Sequence, residues 1–242
     1  MKKKKHPFIK FLLGVLFFAV CYLGYLFYTE SDFFVITQVN IIAQNSVSEE
    51  EIIDLLGERP YYFKYNNEAL EKIITDHPLV KKCDVKKIFP NKIEVILKER
   101  QPVIALSYSD QYLLIDEDLV VVESTREAKD YYIVSGYYFE VFQEGATIAG
   151  PDQHLLVNTI SLVYLLNYVD LEEKPEILID NREILLVFNP RLQAKFGDGN
   201  NIEARFNKML ALYMTIKADG NAVGTIIVNH DGPASLAPFD EK

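Results

Sequence analysis

An α+β fold behind one N-terminal transmembrane helix is what this sequence predicts, and three observations predict it. Phe11 through Tyr28 is a run of eighteen residues without a charge. Between residues 33 and 97 the local patterns change in the order β-α-α-β-β. From residue 102 onward short β-branched and aromatic runs recur, broken by two helical patterns and closed by a strand at 224–229 that reads as a C-terminal edge.

The uncharged run comes first. At 1.5 Å per residue it is roughly 27 Å long, close to the ~30 Å hydrocarbon core of a bilayer. Phe8 and Ile9 extend it to a span over 8–29, with Lys10 snorkelling back to the headgroups. Tyr22, Tyr25 and Tyr28 gather toward the far end, where amphipathic rings favour the interface. Lys2, Lys3, Lys4, Lys5 and Lys10 lie on the near side, and the first charges beyond are Glu30 and Asp32. The positive-inside rule then leaves residues 1–7 as a cytoplasmic tail and exports everything after Tyr28. A cleaved signal peptide is the rival reading. Its apolar core is shorter, about 7–15 residues, and ends at a small-x-small site, which is missing here. Phe18-Ala19-Val20-Cys21 resembles a lipoprotein cleavage box, but Val20 suits the position before the cut poorly. The uncleaved anchor is preferred.

Charge narrows the classes of ligand. Five of the 25 basic and one of the 35 acidic residues precede residue 31, which leaves −14 on the exported part. Such a surface repels nucleic acid and anionic lipid. Hydrophobic residues make up 49% of the chain, too many for general disorder. Cys21 falls in the span and Cys83 outside it, so the two cannot pair and the exported part must stand on its core.

Residues 33–42 read as a strand. Ser48 as N-cap and Glu51 three residues on form a capping box, with Val47 and Ile52 as a hydrophobic staple and Gly57 as a stop. Leu70, Ile73, Ile74 and His77 repeat at helical spacing up to Pro78. Two strands flank Pro90-Asn91, one through Val80–Phe89 and one with Ile93, Val95 and Leu97 on a single face. Beyond residue 102, strand-like runs fall at Tyr131–Val134, Ile177–Ile179, Ile184–Phe188 and Leu192–Phe196. One helix is expected over 152–168, with Leu155, Thr159, Leu162, Val163 and Leu166 together. A second carries Phe206, Met209, Leu210 and Tyr213.

Three stretches carry a family resemblance: His77-Pro78-Leu79-Val80, then Cys83 through Val95 (CDVKKIFPNKIEV), then Lys98-Glu99-Arg100-Gln101-Pro102-Val103. Together they resemble a POTRA domain, and more narrowly that of the FtsQ/DivIB cell-division family. Its pattern runs h-P-W-V, a basic strand closing in a W-P-N-like turn, then V-x-E-R-x-P-V. Leu79 and Phe89 stand where the family often has Trp. Leu113 through Val120 resembles the family's next strand-turn-strand, with Leu119 in place of a common Gly. Phe196 through Asn201 and the helix after it are similar to the family's Leu-Gly turn and its helix with a basic residue, matched by Arg205.

The resemblance implies a POTRA domain over 31–101, a β domain over 102–230 and a C-terminal tail over 231–242. It also implies a non-enzymatic bitopic scaffold of the bacterial divisome, at the division septum of the plasma membrane. Its partners would be small bitopic proteins of the FtsB/DivIC and FtsL types, bound by β-strand addition. The family uses its last strand and the helix before it for the partner, which maps to Gly224, Thr225, Ile226, Ile227, Val228 and Asn229, with Arg205. The strand reads as an edge because nothing after it looks able to pair with it. The Asp that the family often carries near Ile227 is absent.

Signals for catalysis are poor. His6, His77, His154 and His230 are scattered, and His230-Asp231 lacks a third ligand at metal spacing. Asp116-Glu117-Asp118 reads as a hairpin tip, Cys83 as a small buried or half-buried strand residue, and Gly197-Asp198-Gly199 has no phosphate-loop Lys. No catalytic residue, metal, cofactor or small-molecule substrate is therefore expected. Lys81, Lys82, Lys86 and Lys87 are read as the solvated face of a strand in preference to a docking patch. The rival functions are another membrane-anchored POTRA adaptor and a tethered envelope enzyme, which would need a convergent polar pocket.

Overall fold

In the computed structural model, which describes residues 7–42, 46–128, 130–171, 174–218, 223–228 and 232–238, the uncharged run forms α1, Pro7–Glu30. Its 24 residues span about 36 Å. Within Lys10–Glu30 an 18-residue window has a mean hydropathy of 2.1 and no buried residue, so the helix is long and apolar enough to cross a membrane. The chain divides into two compact units, Met1–Glu99, which includes α1, and Arg100–Lys242.

The first unit continues from α1 with β1 (Gln38–Ile42), α2 (Glu49–Leu56), α3 (Asn67–Thr75), β2 (Val80–Ile88) and β3 (Lys92–Glu99). Phe33 and Phe34 do not open the first strand. Ser31 Oγ accepts the Phe33 N–H at 3.1 Å and turns residues 32–34 into one 3-10 turn, so β1 begins at Gln38. The capping box at α2 forms as the sequence requires: Ser48 Oγ accepts the Glu51 N–H at 3.2 Å and Glu51 Oε2 accepts the Ser48 N–H at 2.7 Å. Gly57, at φ 88°, takes the left-handed position that stops the helix. α3 is capped by Asn66, whose Oδ1 accepts the Ala69 N–H at 2.8 Å. It ends before His77, whose Nδ1 instead accepts the Leu79 N–H at 3.2 Å.

These elements make a three-stranded sheet in the order β1-β3-β2, with β1 parallel and β2 antiparallel to the central β3. Alternation along β3 sends Ile93, Val95 and Leu97 into the core, where they meet Ile52, Leu70 and Ile74 from the two helices, while Ile96 faces out. Fully burying such a side chain is worth about 1.5–3 kcal/mol. Parallel pairing of β1 with β3 is what the β-α-α-β-β order allows, since the helical crossover lies between them.

The second unit contains β4 (Pro102–Tyr108), β5 (Gln111–Asp116), β6 (Val121–Thr125), β7 (Tyr132–Ser135), α4 (Gln153–Leu166), β8 (Glu176–Asp180), β9 (Glu183–Asn189), β10 (Leu192–Lys195), α5 (Ile202–Ala218), β11 (Gly224–Ile227) and β12 (Ser235–Ala237). The nine strands from β4 to β12 join one sheet, in the order β12-β11-β10-β9-β8-β7-β4-β5-β6. α4 contacts β4 and β9, α5 contacts β11, and the two helices touch each other. The five residues spaced for burial on α4 (Leu155, Thr159, Leu162, Val163 and Leu166) are all buried. On α5, Phe206, Met209 and Tyr213 are buried and Leu210 half-buried, with Tyr213 stacked on Phe188 at 4.4 Å. The architecture is the α+β one anticipated, with two strands that the sequence reading passed over, β4 and β12.

Candidate partner-binding edge

An open sheet has two edges, and in the nine-stranded sheet they differ. β6 is covered: the Val121 N–H donates to the Ala146 carbonyl at 3.0 Å, the Gly145 N–H donates back to Val121 at 2.8 Å, and Glu144 Oε1 accepts both the N–H and hydroxyl of Ser124. β12 ends the sheet on the other side, and among the described residues no strand lies beyond it. Its Ser235 and Leu236 are exposed, Leu236 at 42%. A row of unpaired backbone groups at such an edge is what an added strand completes.

The edge is thus one strand further along than anticipated. Residues 224–227 do form a strand, but it is an interior one, parallel to β10 and antiparallel to β12 in the register Thr225↔Ala237, Ile226↔Leu236, Ile227↔Ser235. The premise that nothing after 224–229 pairs with it is corrected by this ladder. Residues expected as a tail supply the outer strand. Gly224, Thr225, Ile226 and Val228 are buried and Ile227 half-buried, and Thr225 Oγ1 accepts from Gln193 Nε2 at 3.0 Å. Asn229 lies outside the described residues, as do His6, His230 and Asp231. Gly224 permits the close approach of β12. It sits at φ 135°, and a Cβ there would lie 2.5 Å from the Ala237 carbonyl oxygen.

Arg205 is also placed differently from a surface contact. It is 8% exposed, on the first turn of α5. Its Nη1 donates to the Phe196 carbonyl and lies 3.5 Å from Asp198 Oδ1. Asp198 in turn accepts the Asn200 N–H, and its carbonyl accepts Asn158 Nδ2 at 2.9 Å. The guanidinium therefore fastens the turn between β10 and α5. The Gly197-Asp198-Gly199 stretch is that turn, with both glycines at positive φ.

The other candidate residues have structural duties. Asp116 Oδ1 accepts the N–H groups of Asp118 and Val120, at 3.0 and 2.8 Å, while Oδ2 accepts Arg100 Nη1 at 2.6 Å. This shapes the hairpin tip, where Leu119 takes φ 62° in place of a glycine. Arg100 belongs to the Glu-Arg-x-Pro stretch. Its neighbour Glu99 is buried and accepts the Ser46 N–H at 3.1 Å within the first unit. Cys83 is half-buried beside the Glu71 carbonyl and Thr75, and burial pushes its thiol up, away from thiolate reactivity. The basic cluster splits. Lys82 and Lys86 are exposed, but Lys87 turns inward, donates to the carbonyls of Tyr62 and Tyr65, and lies 4.2 Å over the Tyr62 ring. Burial lowers its affinity for a proton. That inward duty was not foreseen; Lys87 follows the alternation that also buries Val85. Among the described residues, no three of His, Cys, Asp and Glu gather as metal ligands would.

The family described as "POTRA domain, FtsQ-type" matches residues 34–100. A protein named cell division protein DivIB from Clostridium botulinum (strain Hall) is 20% identical over 237 residues, covering 95% of this chain and 91% of that protein. A DivIB of Geobacillus kaustophilus is 30% identical over 100 residues, 40% of this chain and 37% of its own length. A protein named cell division protein FtsQ from Bartonella bacilliformis is 26% identical over 91 residues, 37% of this chain and 30% of that one. The chain thus spans less than half of the last two and nearly all of the first.

Proposed function

The chain belongs to the FtsQ/DivIB family of bacterial cell-division proteins, and from that premise we propose that it is a non-enzymatic bitopic scaffold of the divisome. It sits in the plasma membrane at the division septum, with its N-terminus in the cytoplasm and both folded units outside. There it holds the ectodomains of small bitopic partners of the FtsB/DivIC and FtsL types by β-strand addition, and so coordinates septum formation. The observation that carries this reading is the asymmetry of the nine-stranded sheet: residues 144–148 cover the β6 edge, whereas β12 offers its outer side.

Partner addition then runs along Ser235–Ala237, with Gly224–Val228 as the strand that seats β12 and Arg205 as a positioning residue that fastens the turn between β10 and α5. Asn229 remains part of the proposed set by its place after Val228. Main-chain hydrogen bonds supply the affinity in such addition, and side chains at alternate positions supply the choice of partner. Leu236, exposed at the middle of the edge, is the apolar candidate for that choice.

The test uses the full chain in lipid nanodiscs and the joined ectodomains of FtsB/DivIC-like and FtsL-like proteins from the same cell. Ser235→Pro, Leu236→Pro and Ala237→Pro are compared with the parent. Neighbouring residues in an antiparallel ladder alternate between facing the sheet and facing out, so at least one of these prolines removes an outward N–H while leaving the ladder to β11 whole. Tight binding by the parent, lost in that folded variant, is the expected result. Survival of binding in all three would move the site off β12. Failure of the parent to bind would overturn the partner assignment.

A further inference from the structure

A cluster of aromatic rings joins the end of α1 to the first unit. Phe34, itself buried, is its hub: Phe27, Phe33, Phe63 and Phe89 lie 5.7, 5.1, 5.3 and 6.0 Å from it, and Tyr28 lies 5.2 Å from Phe63. These residues come from four separate stretches: the last turns of α1, the 3-10 turn, the loop before α3 and the turn between β2 and β3. Backbone pairing fixes the stretches to one another, through the Ile36 N–H on the Pro60 carbonyl, the Tyr62 N–H on Phe34 and the Thr37 N–H on Asn91. Lys87 pins the same loop from β2, and Arg59 ties it to α1 by donating to the Glu30 carbonyl at 2.6 Å.

The outer members of this cluster are not covered. Phe89 is 61% exposed, Phe33 50% and Phe63 45%. Soluble surfaces rarely gather large apolar side chains in a held, contiguous patch without an occupant. The occupant is indicated by continuity. Phe27 and Tyr28 are the last aromatics of a helix apolar enough to cross the membrane, and their rings touch Phe33 and Phe63 directly. The level of those rings is the level at which a span leaves the hydrocarbon, where aromatic side chains are favoured.

We propose that Phe33, Phe63 and Phe89 form a second membrane contact, a foot that rests in the outer interfacial layer of the bilayer that α1 crosses and fixes the first unit against it. The contact is apolar, so it requires no anionic lipid, and because α1 tethers the unit at the surface the foot enters anionic bilayers too, against the repulsion of the acidic surface. It rests on α1 being a span and is independent of the partner assignment.

The chain has no tryptophan, so single substitutions give clean reporters of depth in the full-length protein. Phe89→Trp and Phe63→Trp are reconstituted in phosphatidylcholine vesicles with and without phosphatidylglycerol, using lipids brominated near the carbonyls or near the chain ends. Phe18→Trp, midway along α1, reports the span. Lys98→Trp reports the far end of β3, about 20 Å along the strand from Lys92. The expected result is blue-shifted emission at residues 89 and 63, lost mainly to the shallow bromines in both lipid mixtures. Phe18→Trp should be quenched mainly by the deep bromines and Lys98→Trp by neither. Water-like emission at 89 and 63 with Phe18→Trp quenched would overturn the foot alone. Loss of quenching at all three would overturn the span and the foot together. Equal quenching at Lys98 would mean that the unit lies on lipid without a defined contact, which also overturns the proposal.

Discussion

Gly224 is where a single atom decides whether the outer strand exists. Its φ of 135° disfavours any side chain, and the Ala237 oxygen occupies the place of a Cβ. Gly224→Ala should therefore push β12 away from β11, lowering unfolding stability by about 1–3 kcal/mol as strained backbone does, and weaken partner binding more than the stability loss explains. Chemical denaturation beside a binding titration reads both; unchanged binding in a protein destabilised by this much would count against β12 as the site. Leu119 poses the opposite problem. It holds φ 62° where a glycine would sit without strain, a conformation that costs a leucine about 1–2 kcal/mol. Yet it is 7% exposed, and losing its burial costs about 1.5–3 kcal/mol. Glycine adds about 0.5–1 kcal/mol of chain entropy to that loss. Leu119→Gly should be a net destabilisation of about 1–2 kcal/mol, and a stabilised variant in thermal unfolding would show that strain outweighs burial here.

Lys87 shows how an element is held by a residue whose type suggests the surface. It lies on β2 among lysines that do face water, and its duty depends on the alternation of the strand and on where the loop at residues 61–65 returns. Lys87→Met removes the donor to the Tyr62 and Tyr65 carbonyls while keeping most of the stem. Because burial already weighs against the charged ammonium, the net cost is about 1–2 kcal/mol, toward the low side of the range for a hydrogen bond to a charged group. Amide exchange should speed up across residues 61–65 and stay unchanged in α2; uniform acceleration would mean that Lys87 stabilises the whole unit instead. The elements that the sequence announced are those with a local signature: the Ser48/Glu51 box starts α2, Gly57 ends it, and alternation on β3 marks Ile93, Val95 and Leu97. β12 had none. The four residues between Pro233 and Pro238 show no periodicity, and Ser235–Ala237 become a strand only because β11 lies beside them. Arg205 likewise looked like a surface contact, since neither its spacing nor its type reveals that the Phe196 carbonyl waits beneath it.

For the molecule as a whole, function depends on which side of the membrane the two units occupy. The charge asymmetry about α1 argues for export: four lysines at 2–5 precede it, and Glu30, at its last position, and Asp32 are the first charges beyond its apolar run. Basic residues near the end of a span set orientation, whereas acidic ones contribute little. The native thiols are poor reporters, since Cys21 lies within α1 and Cys83 is half-buried beside Glu71 and Thr75. Lys98→Cys, exposed on β3, avoids both problems when made in a Cys21→Ser, Cys83→Ser background. In intact cells stripped of any outer barrier, a membrane-impermeant maleimide should label this site without lysis. Replacing Lys2, Lys3, Lys4 and Lys5 by Gln should lower the labelled fraction, because part of the population loses its orienting charge, while Glu30→Gln and Asp32→Asn should leave it unchanged. Labelling that requires lysis in the parent would put both units in the cytoplasm, out of reach of any extracytoplasmic partner. The strand-addition reading would fall with it, whatever the β12 edge binds in isolation.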